Sequence, residues 1–241
     1  MTSTAKDFRK LASDSVLVLV GKLLLLGGSF LAHTLLVRNL EPGVFGRFSL
    51  AVTVVTISGG IAAVGMRHTV ARFISIQTTN NASEYITIGI TTVVFVGTVL
   101  LISIYLGRTT LDSLFSSPGL SDLLQVLVIL VLLQPLAEVA EGIIRGYERT
   151  SWKIIYGDVI PLVGAFIVFV YVLQNGNAIL AGIAFYVLKS LLKIVASTVR
   201  LKTWTAFEYT LSIPSRKTVA ETLSFSWPLA VESLVVIFLG S

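Results

Sequence analysis

An all-α integral membrane protein, crossing a bilayer about seven times with its N-terminus on the cytoplasmic side, is the fold class this sequence predicts. Three observations predict it. Of 241 residues, 54% are hydrophobic and only 13% charged, whereas a soluble domain carries about a quarter charged residues because its surface must meet water. The apolar residues gather into stretches of bilayer length. The basic residues fall very unevenly between the intervals that separate those stretches.

A spanning helix needs about 20 mostly apolar residues. Seven stretches qualify: Ser15–Val37, Phe48–Met66, Ile86–Tyr105, Leu123–Ile144, Ile154–Leu173, Ala178–Val199 and Val219–Leu239. Each interval carries breakers or charge, among them Glu41-Pro42-Gly43, the polar run Thr78–Asn81, Ser116-Ser117-Pro118-Gly119 and Gln174-Asn175-Gly176-Asn177. Mean hydropathy over the whole chain is +0.88.

Orientation follows from the loops, because cytoplasmic loops collect Lys and Arg. With the N-terminus inside, the cytoplasmic segments hold Lys6, Arg9, Lys10, Arg67, Arg72, Arg145, Arg149, Lys153, Arg200, Lys202, Arg216 and Lys217. The outer loops hold Arg38, Arg47 and Arg108. Twelve against three is an asymmetry that no inverted topology reproduces. The apolar stretch after Lys10 is too long for a signal-peptide core and lacks a small-residue cleavage site, so it reads as a retained first span.

The chain divides into a six-helix bundle over 1–199, a linker over 200–218 and a seventh span over 219–241. The linker mixes Trp204, Phe207 and Tyr209 with Lys202, Arg216 and Lys217, and Pro214 interrupts it. It reads either as a helix lying along the cytoplasmic interface or as a plain connector with interfacial anchors. The formal charge of +5 is explained by loops facing anionic lipid. No basic run interleaved with aromatics points to nucleic acid. The chain has no cysteine, which excludes disulfides and thiolate metal sites. No metal-ligand spacing, phosphate-binding glycine loop or Ser-His-acid set is evident, so neither a cofactor nor an enzyme activity is expected. His33 and His68 are solitary.

Ionisable groups inside spans are costly and mark cavities or pairs. Lys189 is near the middle of the sixth span, and Lys193 follows one turn later on the same face. Two cations on one face want water or an anion between the helices; the alternative is that Lys189 pairs with a carboxylate and Lys193 snorkels to the interface. Lys22, within the first span, reads as facing inward. Glu138 and Glu141 share a face of the fourth span, and Asp158 opens the fifth. These three form either an ion-coupling relay or structural partners for Arg145, Arg149 or Lys153.

Three stretches carry a family resemblance. Leu40-Glu41-Pro42-Gly43-Val44-Phe45-Gly46-Arg47-Phe48-Ser49-Leu50 links the first two spans, and Gly65-Met66-Arg67-His68-Thr69-Val70-Ala71-Arg72-Phe73-Ile74 follows as the loop after span two. Gly142-Ile143-Ile144-Arg145-Gly146-Tyr147-Glu148-Arg149-Thr150-Ser151-Trp152 makes the turn between spans four and five. Together they resemble the polysaccharide biosynthesis (Wzx-type) flippases of the multidrug/oligosaccharidyl-lipid/polysaccharide exporter superfamily. That resemblance implies a plasma-membrane transporter for lipid-linked oligosaccharide, built from two six-helix bundles around a cationic cavity that holds a polyprenyl phosphate or pyrophosphate. Lys22, Lys189 and Lys193 fit such a head-group cavity by location. Family members have about twice as many spans, and Phe225-Ser226-Trp227-Pro228-Leu229 resembles the opening of the second bundle. The expectation is therefore an N-terminal half that works with a second transporter half or as a homodimer. The rival readings are a non-transporting membrane remnant or scaffold, and a cation-coupled antiporter of the same superfamily. A seven-helix receptor or retinal protein is disfavoured, since it needs the opposite orientation and span seven offers no Lys.

The orientation is testable. Cysteines introduced at Ser117 and Asn175 should react from outside intact cells with an impermeant thiol reagent, and one at Ser215 should not. Labelling at Ser215 would reverse the topology.

Overall fold

The computed structural model describes residues 2–76, 82–147, 152–203, 209 and 214–239. Its elements are helices throughout: α1 (Thr2–Asn39), α2 (Pro42–Ala63), α3 (Met66–Ile76), α4 (Ala82–Leu114), α5 (Leu120–Leu127), α6 (Leu130–Gly146), a π-helical turn (Lys153–Val159), α7 (Ile160–Gln174), α8 (Ala178–Lys202) and α9 (Arg216–Leu239). Among the described residues, six stretches are long and apolar enough to cross a membrane: Ser15–Asn39, Pro42–Ile76, Ala82–Leu114, Leu120–Gly146, Lys153–Gln174 and Ala178–Lys202. Each overlaps one of the first six stretches read from the sequence and most extend beyond it. The expected seventh stretch is helical within α9, which lies against α2, α3 and α4. The expected linker is shorter than 200–218, because α8 continues through Lys202 and α9 starts at Arg216. The proposed interfacial helix falls mostly on 204–208 and 210–213, outside the described residues.

The local chemistry accounts for the helix boundaries. Pro42 takes the first position of α2, where its missing N–H is not needed. The turn before α8 ends at Asn177, whose side chain accepts from the Leu180 N–H at 2.9 Å and satisfies one orphan donor. Ser215 does the same for α9, its Oγ accepting from Thr218 N–H at 3.1 Å. Between α4 and α5 the chain reverses through Gly119 at φ +90°. Asp112, in the last turn of α4, accepts from Leu120 N–H at 3.1 Å and from the Ser121 hydroxyl at 3.2 Å. Arg47 closes this end by donating to the Pro118 carbonyl at 2.6 Å.

Two spans are interrupted, for different reasons. In span two the chain leaves α2 through Val64 (φ 46°) and Gly65 (φ 66°) and re-enters helix as α3. The stretch Gly65–Ile74, expected as a loop, is therefore largely helical. Its amphipathic composition hid that, because Arg67, His68 and Arg72 read as loop residues. In span four, Pro135 cannot donate to the carbonyl four residues back. Just ahead of it the bonds tighten, with Val131 N–H to Val128 O at 3.0 Å and Leu132 N–H to Ile129 O at 3.1 Å, the i→i+3 spacing of a 3₁₀ turn.

Two apolar clusters hold the bundle. One gathers Leu36, Phe48, Val55, Leu124, Leu130, Phe169 and Phe185 toward the Arg47 end; the other gathers Met66, Val70, Ile86, Val139, Ile144 and Leu201 toward the opposite end. Without water to drive helices together, close backbone approach matters more, and small residues permit it. Gly182 faces Phe48, and Gly142 lies under the Arg67 carbonyl, where an added methyl group would come to 2.5 Å. The second end is also where Arg72 sits 4.1 Å over the Phe225 ring and Arg200 sits 3.8 Å over the Trp152 ring. Arg72 and Arg200, assigned to one side by loop counting, thus share one end of the bundle.

The contact of α9 with the bundle centres on Gly65. A methyl group there would lie 2.8 Å from both Leu229 Cβ and the Ser226 carbonyl oxygen. Phe225 packs edge-on against Phe73, and the Thr218 hydroxyl donates to Glu84 at 3.0 Å. Gly65→Ala should therefore lower the thermal stability of the purified protein by at least about 1–2 kcal/mol, the penalty for a side chain in the left-handed region alone. Gly107→Ala, which meets nothing within 4 Å, should leave it unchanged. Equal melting temperatures for the two variants would refute the close approach of α9.

Candidate functional site

The charged groups inside the spans meet on α6, the π-helical turn and α8. Glu141 is the hub. Its side chain is 3% exposed, and three cations reach it: Lys193 at 2.7 Å, Arg145 at 3.1 Å and Lys153 at 3.6 Å. Arg145 comes from one turn further along α6, a spacing that puts both side chains on one face. Lys193 comes from α8, and Lys153 from the start of span five. Lys153 also reaches Asp158 at 2.6 Å.

The Lys153–Asp158 pair depends on backbone geometry. Residues five apart do not face each other on an α-helix. A π-helical turn hydrogen-bonds i to i+5 and stacks such residues. Here Ile160 N–H bonds to Ile155 O in that pattern. Pro161, at the start of α7, supplies no N–H for the α-type bond to Gly157, which favours the wider turn. The turn also packs on α1, where Gly21 abuts Ile154 and Gly28 abuts Leu162.

Lys189 stands apart from the hub. It is half-buried near the middle of α8, and its ammonium lies 5.8 Å from the Phe185 ring centroid. That is within range of a cation–π attraction. No ion pair joins it to a carboxylate among the described residues. Around the three carboxylates Glu138, Glu141 and Asp158 stand four cations, Lys193, Arg145, Lys153 and Arg67, leaving one positive charge in excess, and Lys189 adds another. Like charges on one helix face in a low-dielectric setting repel strongly. The arrangement offers no nucleophile–base pair, and no group of three or more potential metal ligands occurs among the described residues.

The sequence-derived residues thus separate into three kinds. Lys193, Glu141 and Asp158 are tied into one network, with Glu141 and Asp158 acting as partners of Arg145 and Lys153. Arg149, the other partner considered, is outside the described residues. Lys189 and Glu138 lie in the same helices but form no ion pair among the described residues. Lys22 is exposed on α1, next to the Gly21 contact, and no ion pair joins it to the others. Lys153 was not among the site residues expected from sequence. Its position beside a loop of Arg and Ser suggested a cytoplasmic residue, and only the π-helical turn swings it inward.

Six apolar spans around a buried, positively charged network define a polytopic α-helical membrane protein, and its fold is that of MATE transporters. One similar solved structure is an inward-facing multidrug resistance MATE family transporter of the MOP superfamily, at 18% identity and a TM-score of 0.63, covering 86% of this chain and 50% of that one. Another is a mutant MATE, at 18% identity and a TM-score of 0.60, covering 91% and 52%. The chain spans about half the length of these structures. Among curated proteins, none matches. The chain belongs to the polysaccharide biosynthesis protein family, whose model it matches over residues 11–240.

Removing one member of a buried ion pair strands the others, at about 3–5 kcal/mol. Glu141→Gln should therefore lower the melting temperature in detergent markedly. Adding Lys193→Met to it should restore part of the loss, because one stranded cation is removed. Additive effects in that double-mutant cycle would mean that the two residues are not coupled.

Proposed function

We propose that this chain is the N-terminal half of a plasma-membrane flippase that moves lipid-linked oligosaccharide across the bilayer, with the anionic head group drawn to Lys189. The observation that carries this reading is the half-buried ammonium of Lys189, without an ion pair among the described residues, beside a network that already has an excess of positive charge. An anion such as a polyprenyl phosphate or pyrophosphate would neutralise that excess. Membership of a polysaccharide biosynthesis family supports a glycan-bearing lipid as the cargo. The work is transport, with no bond made or broken.

The second wall of the cavity comes from a second half, either a separate polypeptide stretch or another copy of this chain. Transporters of two repeats bind near the midplane between them and rock one against the other. Coverage of only half of each similar MATE structure supports that arrangement. Lys22, exposed on α1, would then face the shared cavity, with Lys193 held in reserve on Glu141. A second reading, a cation-coupled antiporter, draws on Glu138, the in-span carboxylate of α6 that has no ion pair among the described residues.

The head-group reading predicts that Lys189→Ala, in a transporter containing both halves, reduces flipping of fluorescent lipid-linked sugar in proteoliposomes while insertion stays normal. A charged hydrogen bond is worth about 1.5–3 kcal/mol, so the fall should be about tenfold or more. Lys189→Arg should keep part of the activity, since charge survives and geometry does not. Unchanged transport by Lys189→Ala would remove the anion site, and loss on Glu138→Gln with Lys189→Ala active would favour the antiporter.

A further inference from the structure

Between the third, fourth and sixth spans lies a second feature, remote in chemistry from the charged network: an apolar cleft of about 530 Å³. Its inner end is walled by Leu136, Ile90 and Ile194, and its other end by Ile143, Ile86 and Leu201. These follow α6 toward Arg145, α4 toward its start and α8 toward its basic last turn, so the cleft runs along the spans. Lys202 and Tyr209 stand at its mouth. Lys202 is exposed and makes no ion pair among the described residues, and the Tyr209 hydroxyl lies 3.2 Å from that of Thr87.

We infer that this cleft holds one acyl chain of an anionic phospholipid from the cytoplasmic leaflet, with the lipid phosphate at Lys202. Three features select that occupant. From Ile194 to Lys202 is eight residues of α8, about 12 Å at 1.5 Å per residue. That is close to one leaflet of a hydrocarbon core about 30 Å thick. Apart from Thr198, one turn from Lys202 on α8, the lining is apolar along this length, and such a surface has little to offer water; an apolar cavity takes apolar guests. The charged group and the phenol, Lys202 and Tyr209, stand at the mouth, at head-group depth on the basic side, where anionic lipids concentrate. The polarity of the cleft therefore changes along its length as a phospholipid's does. This site does not depend on the flippase reading, since it uses neither Lys189 nor the Glu141 network.

The test is native mass spectrometry of the purified, delipidated chain titrated with phosphatidylglycerol or phosphatidylcholine of matched acyl chains. The expected result is one tightly retained phosphatidylglycerol, bound about tenfold more strongly than phosphatidylcholine, the ratio set by about 1.4 kcal/mol. Lys202→Glu should abolish the preference while leaving chain binding. Ala140→Phe, which places a ring in the cleft, should abolish retention of both lipids. Should Ala140→Phe unfold, as read by its melting temperature, Ile90→Trp fills the same space from the α4 wall. No retained lipid in the native chain, as when its own linker occupies the cleft, would overturn the inference. So would equal binding of the two lipids, or lipid retention unchanged in a folded cleft-filling variant.

Discussion

The placement of Glu141 governs the interior of this bundle. A carboxylate taken out of water loses solvation that only close cations can replace. Glu141 obtains three, from its own helix, from the start of span five and from α8. The hub thereby fixes the rotation of three helices at once, since each must present one long side chain to the same point. Apolar packing alone would not do so. In lipid, one apolar face of a helix is nearly as comfortable as another.

The hub also determines what its neighbours can do. Lys193 and Lys153 are occupied, and Lys189, one turn from Lys193, lies near the Phe185 ring and makes no ion pair among the described residues. An unpaired ammonium at mid-span would be unfavourable in a closed core. It becomes tolerable beside a wet or anion-bearing cavity. The protein concentrates charge where α6, the start of span five and α8 meet.

Much of this architecture was legible in the sequence because membranes impose simple rules. The six spans that the structure supports are long apolar runs, and their shared basic end follows from counting Lys and Arg between them. For Glu138, Glu141 and Asp158 the sequence left a relay and a structural pairing open; Glu141 is paired with Arg145 and Lys153, and Asp158 with Lys153. What stayed hidden depends on backbone detail. Nothing in Ala63-Val64-Gly65-Met66 announces a left-handed break rather than the end of a span. The structure shows that the break puts Gly65 where the backbone of α9 comes too close for a side chain. The inward turn of Lys153 was invisible for a related reason: α-helical spacing sets it on a different face from Asp158.

The π-helical turn has a consequence for how this chain tolerates length changes. A π turn accommodates one residue more than the α-helical turn it replaces, so it is equivalent to a single-residue insertion stored inside span five. Deleting one residue between Ile154 and Gly157 would let the segment relax into ordinary α-helix, with α7 and its contacts to α8 undisturbed. The same deletion would bring Lys153 and Asp158 to four apart, an α-helical spacing, while turning Lys153 relative to Glu141. Indel tolerance and loss of the three-helix clasp would thus be separable at one position, with the span surviving and its link to Glu141 weakened.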